Sequence, residues 1–217
     1  MYKIKYIYFF RDDLTSHVGI YKSWVDTAKD KLDISLFTIL DTNTYLKQKK
    51  LVEFYRKQNV IIKVIPKYFK LIYTILYFLF MTVKYEKVVV HLRKQSPKPF
   101  DLIKKIFPNK LKYLIEIEGD FESEIDYLSQ DKNKYKDGFY EQIIAGMKKA
   151  SSLLEKQFFK ADGIFVVTEE LKELFIKRYT KHELKDKIHV IPTGFDTTKF
   201  LPDDTLRTTY RKKKINL

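Results

Sequence analysis

The sequence predicts an α/β chain built as a doubly wound, mainly parallel sheet with helices on both faces. Three observations lead there. Short β-rich runs alternate with helix-patterned segments from one end to the other. Several of these runs, among them Val60-Ile61-Ile62-Lys63-Val64-Ile65 and Val88-Val89-Val90, are nearly continuous β-branched stretches, which suits strands buried on both faces. Gly and Pro number only 6 each, which argues against a turn-rich all-β chain.

The first run, Lys3–Phe10, carries Lys on alternate positions at its start and reaches Arg11-Asp12-Asp13 at once. With no long apolar core and no small-residue cleavage site, it reads as a strand rather than a signal peptide. Ser16-His17-Val18-Gly19-Ile20 then opens a helix containing Lys22 and Trp24. Asp33–Ile39 and Val60–Ile65 are the next strands. The apolar run Leu71–Val83 is flanked by Lys67, Lys70, Lys84 and Lys87. It is shorter than the roughly 20 residues that span a bilayer. It reads as a packed crossover helix, with an interfacial membrane helix as the alternative. Strands follow at Lys87–Leu92 and Lys112–Ile117. Phe139–Phe159 then sets Phe139, Ile143, Met147, Leu154 and Phe158 on one helical stripe. That helix is expected to stop at Ala161-Asp162-Gly163, with Gly163 supplying a left-handed C-terminal residue. Gly163–Val167 and Lys187–Ile191 are the last strands. Right-handed crossovers between such strands give a Rossmann-like fold.

The composition, 45% hydrophobic and 32% charged, is that of a globular chain rather than a disordered one. The absence of cysteine excludes a disulfide framework, a cysteine nucleophile and thiolate metal sites, and it fits a reducing cytoplasm. Lys and Arg total 42 against 28 acidic residues, a net charge of +14. Such an excess draws a protein toward nucleic acid, anionic lipid or phosphorylated small molecules. A Lys-, Ile- and Tyr-rich chain also fits simple genomic base bias. No RNA- or DNA-binding motif accompanies the charge, and the basic residues are dispersed, so no nucleic-acid partner is expected. The four histidines, His17, His91, His182 and His189, show no metal-ligand spacing. No metal or cofactor is expected.

The most specific signal lies in the C-terminal third. Ala161-Asp162-Gly163-Ile164-Phe165-Val166-Val167-Thr168-Glu169-Glu170 is followed, one helix later, by Lys187-Ile188-His189-Val190-Ile191-Pro192-Thr193-Gly194-Phe195-Asp196, with Phe200 beyond. Thr168 can cap a helix whose first turn holds Glu169 and Glu170, where the helix dipole favours acids. Pro192 ends a strand and Gly194 permits a turn that other residues resist. Together and in this order, the two segments resemble the end of the N-terminal domain in glycosyltransferase family 4 and its GT-B relatives.

The resemblance implies the acceptor-side half of a two-domain GT-B fold. Residues 1–200 would form the Rossmann-like domain, and 201–217 would lead into a C-terminal donor-binding domain that this sequence does not include. Pro192, Gly194 and Asp196 would then lie at the interdomain hinge. Ser16, His17 and Gly19 stand where the family places a loop beneath the donor diphosphate. Small residues at a helix N-terminus let backbone N–H groups approach phosphate. His91, Arg93, Glu118, Asp120, Thr168 and Glu169 fall at strand ends facing the cleft, with Arg93 able to grip phosphate or carboxylate in a fork. Each has a plain structural alternative: a core histidine, a turn glycine, a solvated acidic loop. No catalytic residue is assigned.

The implied reaction is retaining, metal-independent sugar transfer from a nucleotide-sugar donor to a glycan or lipid-linked acceptor in cell-surface polysaccharide synthesis, inactive without the second domain. The implied location is cytoplasmic, with a peripheral place on the anionic inner membrane face. The alternative is a non-catalytic acceptor-binding or regulatory module.

Overall fold

A computed structural model describes residues 4–10, 14, 22, 25–93, 97–130, 139–156, 158–180 and 183–191. The strands are β1 (Ile4–Phe10), β2 (Asp33–Leu40), β3 (Ile61–Val64), β4 (Lys87–Arg93), β5 (Leu111–Ile117), β6 (Gly163–Val166) and β7 (Ile188–Val190). They form one seven-stranded sheet in the order β3-β2-β1-β4-β5-β6-β7. Every pairing is parallel. Helices α1 (Thr42–Lys47), α2 (Lys49–Lys57), α3 (Lys70–Lys84), α4 (Lys98–Ile106), α5 (Phe121–Gln130), α6 (Phe139–Lys156) and α7 (Glu169–Arg178) lie in the connections. The expected Rossmann-like α/β architecture is the one observed.

The sheet buries both faces, and each face has its own core. On one, Ile7, Phe9, Phe37, Ile39, Val90 and Leu92 meet Phe78 of α3, Phe100 and Ile103 of α4 and Phe175 of α7. Phe78 packs edge-on to Phe100 at 4.8 Å between ring centres, and Phe37 stacks on Tyr77 at 4.4 Å. On the other face, Tyr8, Phe10, Leu36, Leu40 and Ile62 close over Leu14 and over Val52 of α2. Period-two alternation makes both possible: odd and even residues of β1 serve opposite cores. Tyr77, packed between its neighbours, is pushed up to about 12 by burial and by the nearby Tyr73 and Tyr85.

Two junctions differ from the sequence expectation. α6 ends at Lys156 rather than Phe159, and a short 3-10 turn, Phe158–Lys160, carries the chain to β6. Gly163 is not the left-handed cap of that helix; it is the first residue of β6. A side chain there would place its Cβ 3.0 Å from Leu114 Cδ2, so the glycine serves close strand packing. Its neighbour Asp162 fastens β6 to β5. The Asp162 carboxylate accepts from the Tyr113 backbone N–H at 3.1 Å and from Lys112 and Lys104 at 2.9 and 2.7 Å. The Asp162 backbone N–H in turn donates to the Tyr113 carbonyl. Burial opposes ionisation of Asp162, but the hydrogen bonds from Lys104, Lys112 and Tyr113 outweigh it and hold the carboxyl below its ordinary value.

The run 71–83 lies within α3 and is the crossover helix between β3 and β4. The expectation of a packed helix holds on its inner side only. Thr74, Phe78 and Thr82 are buried, whereas Ile72, Leu76, Phe80 and Val83 are exposed. Among the described residues, no helix is long and apolar enough to cross a membrane.

Candidate functional site

β1 and β4 are neighbours in the sheet although β2 and β3 lie between them in sequence. From this pair the strand order runs outward in opposite directions. Such a switch point leaves a crevice at the carboxyl ends of the strands, the usual ligand position in open α/β sheets. The parallel register aligns Tyr8 with His91, and Arg93 with both Phe10 and Glu116. Alternation then brings Tyr6 and Tyr8 of β1, His91 and Arg93 of β4 and Glu116 of β5 to one face.

These side chains form a buried polar cluster around Glu116. Tyr8 donates its hydroxyl to Glu116 Oε2 at 2.5 Å. Arg93 Nη1 reaches Glu116 Oε1 at 3.3 Å, and Nη2 is paired with Glu118. Tyr6 Oη lies 2.9 Å from His91 Nδ1. His91 Nε2 faces Glu116 Oε2 at 3.4 Å, a charge contact without hydrogen-bond geometry. If Tyr6 donates to Nδ1, the neutral ring carries its proton on Nε2, toward the carboxylate. The His91 ring packs against Tyr8 at 4.5 Å and Phe165 at 5.1 Å.

The electrostatics follow from burial and from these partners. Burial works against the Glu116 charge, yet neighbouring His91, the Tyr8 hydrogen bond and the Arg93 charge prevail, holding its carboxyl below the usual range. Burial and the Glu116 charge push the phenols of Tyr6 and Tyr8 well up, so both stay protonated. At neutral pH the cluster therefore presents a fixed anion, a fixed cation and two phenol donors. It can orient and hold charge. A carboxylate with a lowered pKa is unsuited to donating a proton as a general acid.

Of the residues singled out in the sequence, the structure brings His91, Arg93 and Glu118 together here. Glu118 is the outermost, its side chain 34% exposed against 6% for Arg93. Asp120 is turned away into a different junction. It caps α5 by accepting from the Ser123 backbone N–H at 3.0 Å, and it takes a bidentate pair of bonds from Arg178 of α7 at 2.6 and 3.1 Å. Burial raises its pKa, but the bonds from Arg178 and Ser123 win and lower it. Thr168 is the N-cap of α7, accepting from the Leu171 N–H at 3.2 Å. Glu169 is an exposed first-turn residue paired with Lys172. Both stand at the carboxyl end of β6. Ser16, His17, Gly19, Pro192, Gly194 and Asp196 lie outside the described residues, so loop and hinge are not placed. The described residues contain no cluster of three or more metal-ligating side chains.

Sequence reading missed Glu116, Tyr6, Tyr8 and Arg178. For Glu116 the signal was present: a lone acid inside the apolar strand Leu-Lys-Tyr-Leu-Ile-Glu-Ile must find a partner if buried. Its partners become visible only once β5 is known to lie beside β4.

Strand order and helices together make this a Rossmann-like α/β domain. No family model matches the sequence, and no curated protein matches it. Among solved structures, a glycosyltransferase from Rickettsia africae ESF-5 is similar over 99% of this chain and 50% of its own, with 14% identity and a TM-score of 0.49. HepE of Anabaena in complex with UDP is similar over 94% of this chain and 49% of its own, with 12% identity and a TM-score of 0.45. An Arabidopsis thaliana protein complexed with UDP is similar over 86% of this chain and 49% of its own, with 7% identity and a TM-score of 0.42. The chain thus spans about half the length of each.

Proposed function

We propose that this chain is the acceptor-side half of a retaining, family 4-like GT-B glycosyltransferase, transferring sugar from a nucleotide-sugar donor to a glycan or lipid-linked acceptor. The observation that carries this reading is the paired C-terminal signature, Ala161-Asp162 to Glu169 followed by Val190-Ile191-Pro192 to Asp196. Its first segment occupies a strand and a helix start at the crevice side of the sheet, where Thr168 caps α7. Asp162 at its head welds β6 to β5. The switch point between β1 and β4 is where open α/β sheets usually take their ligands, which supports this reading.

In this reading the Arg93–Glu118 pair lies at the mouth of the cleft and orders the acceptor side. A second domain supplies the donor diphosphate and sugar contacts, and no metal takes part. Cell-surface polysaccharide synthesis is the setting that the resemblance implies.

The test is transfer of labelled sugar from a panel of nucleotide donors to a native lipid and glycan extract. The chain alone is compared with the chain supplied with a GT-B donor-binding domain. Turnover only in the mixture supports the proposal. Turnover by the chain alone overturns the need for a second domain. Silence in both, with acceptor binding retained, replaces it with a non-catalytic acceptor-binding module.

A further inference from the structure

Helix α3 is apolar on its outer side as well as on its inner one, where Phe78 is buried and Ile75, Tyr77, Leu79 and Met81 pack against the core. Its inner side spends two of its three buried positions on threonine, whose hydroxyls are satisfied within the helix: Thr74 donates to the Lys70 carbonyl at 2.7 Å and Thr82 to the Leu79 carbonyl at 2.8 Å. Its outer side carries Ile72, Leu76, Phe80 and Val83, 54%, 60%, 61% and 69% exposed. Spacings of four, four and three residues set them on one stripe. Tyr68 and Phe69, in the 3-10 turn that leads into α3, extend that stripe at one end. Leu102 and Ile106 of α4, which packs beside α3, are exposed as well. Single exposed apolar residues need no explanation, but a contiguous apolar helix face does.

The charges around the stripe indicate what covers it. Lys67 lies just before α3, Lys70 at its start, Lys84 at its end, Lys87 at the start of β4 and Lys105 in the last turn of α4. Within residues 67–110 the acids are Glu86 and Asp101, Asp41 adds one beside Lys70, and the chain as a whole carries +14. A second copy of the chain would set one lysine rim against another. An anionic lipid surface meets both features at once, with headgroups for the lysines and acyl chains for the stripe. The length also fits: 15 residues make a helix about 22 Å long, enough to lie along an interface and too short to cross the bilayer.

We propose that the outer face of α3, with the adjoining face of α4, is a docking surface for anionic membranes, in which α3 lies in the headgroup plane with Ile72, Leu76, Phe80 and Val83 inserted. The inference stands whether or not the chain transfers sugar.

Vesicle sedimentation of the chain tests it, with phosphatidylcholine vesicles compared with phosphatidylcholine–phosphatidylglycerol vesicles at low salt. Binding to the anionic vesicles is expected to be at least tenfold tighter and to weaken as salt rises. Leu76→Glu with Phe80→Glu should reduce it at least tenfold while leaving thermal unfolding unchanged, since both positions are exposed. Lys67→Ala, Lys84→Ala and Lys105→Ala should each weaken it by about fivefold, the ratio that ~1 kcal/mol per lysine gives. Because the chain has no cysteine, Leu76→Cys takes one environment-sensitive fluorophore, whose emission should shift to the blue on anionic vesicles only. Equal binding to both vesicle types overturns the electrostatic part. Full binding by the double-glutamate variant moves the contact off α3 and overturns the surface. No binding to either vesicle, with a dimer in sedimentation that the same variant dissolves, assigns the face to a second copy instead.

Discussion

Glu116 is the residue on which the buried cluster depends, because one carboxylate answers Tyr8, His91 and Arg93. Removing it takes a carboxylate partner from a guanidinium that is nearly sealed from solvent. Glu116→Ala is therefore expected to destabilise the chain by about 3–5 kcal/mol in urea unfolding at neutral pH. Glu116→Gln, which keeps the shape and one acceptor oxygen, should cost clearly less; equal losses would mean that packing rather than charge is at stake. The pH dependence has a definite sign. Glu116, Asp120 and Asp162 all have folded pKa values below their ordinary ones of 4.5, 3.8 and 3.8. The unfolded chain then takes up protons first as pH falls, so their stabilisation is complete above about 4.5 and is lost as pH drops through the folded values. Urea midpoints measured from pH 7 to pH 3 should fall along that limb, and Asp162→Asn should flatten it. His91, Arg93 and Glu118 could be marked from the sequence through the family resemblance of the segments that carry them. Tyr6 and Tyr8 could not, since nothing local separates a core tyrosine from one that holds a carboxylate.

At the scale of elements, α3 carries two kinds of apolar residue that composition does not distinguish. Phe78 touches Phe9, Phe37 and Phe100 in the larger core. Phe78→Ala should cost about 3–5 kcal/mol, through lost burial and the cavity left behind. Leu76→Ala, two residues away on the outer stripe, should stay within about 0.5 kcal/mol. A large cost at Leu76 would mean that the outer face is covered in the free chain. Helix α7 offers a cleaner local test. Thr168→Ala removes the oxygen that caps it and should cost about 1 kcal/mol, whereas Thr168→Ser should be near neutral. All seven strands were legible from β-branched runs, and their bounds moved by only a residue or so. The junctions were less so. Gly163 looked like a helix terminator because glycine after a helical stripe usually is one, but here it admits Leu114 of the neighbouring strand, a long-range demand that no local pattern carries.

For the molecule as a whole, strand order was the part that periodicity could not supply. Runs of β-branched residues announce parallel strands without saying which lie side by side, so neither the crevice between β1 and β4 nor the cluster beneath it could be built from spacing alone. The order has a consequence in time. β1 is held on one side by β2 and on the other by β4, whose partners run from Ile4 opposite Lys87 to Phe10 opposite Arg93. During synthesis from the N-terminus, β1, β2 and β3 can associate as soon as residue 64 has emerged. The free edge of β1, with the phenols of Tyr6 and Tyr8 beside it, must then wait for some thirty further residues, the greasy α3 among them. At about 5–20 residues per second that interval lasts seconds, far longer than the microseconds of hydrophobic collapse. The growing chain thus passes through a half-sheet whose open edge and uncovered helix are exposed together, and a companion that shields both is most useful to it during that interval.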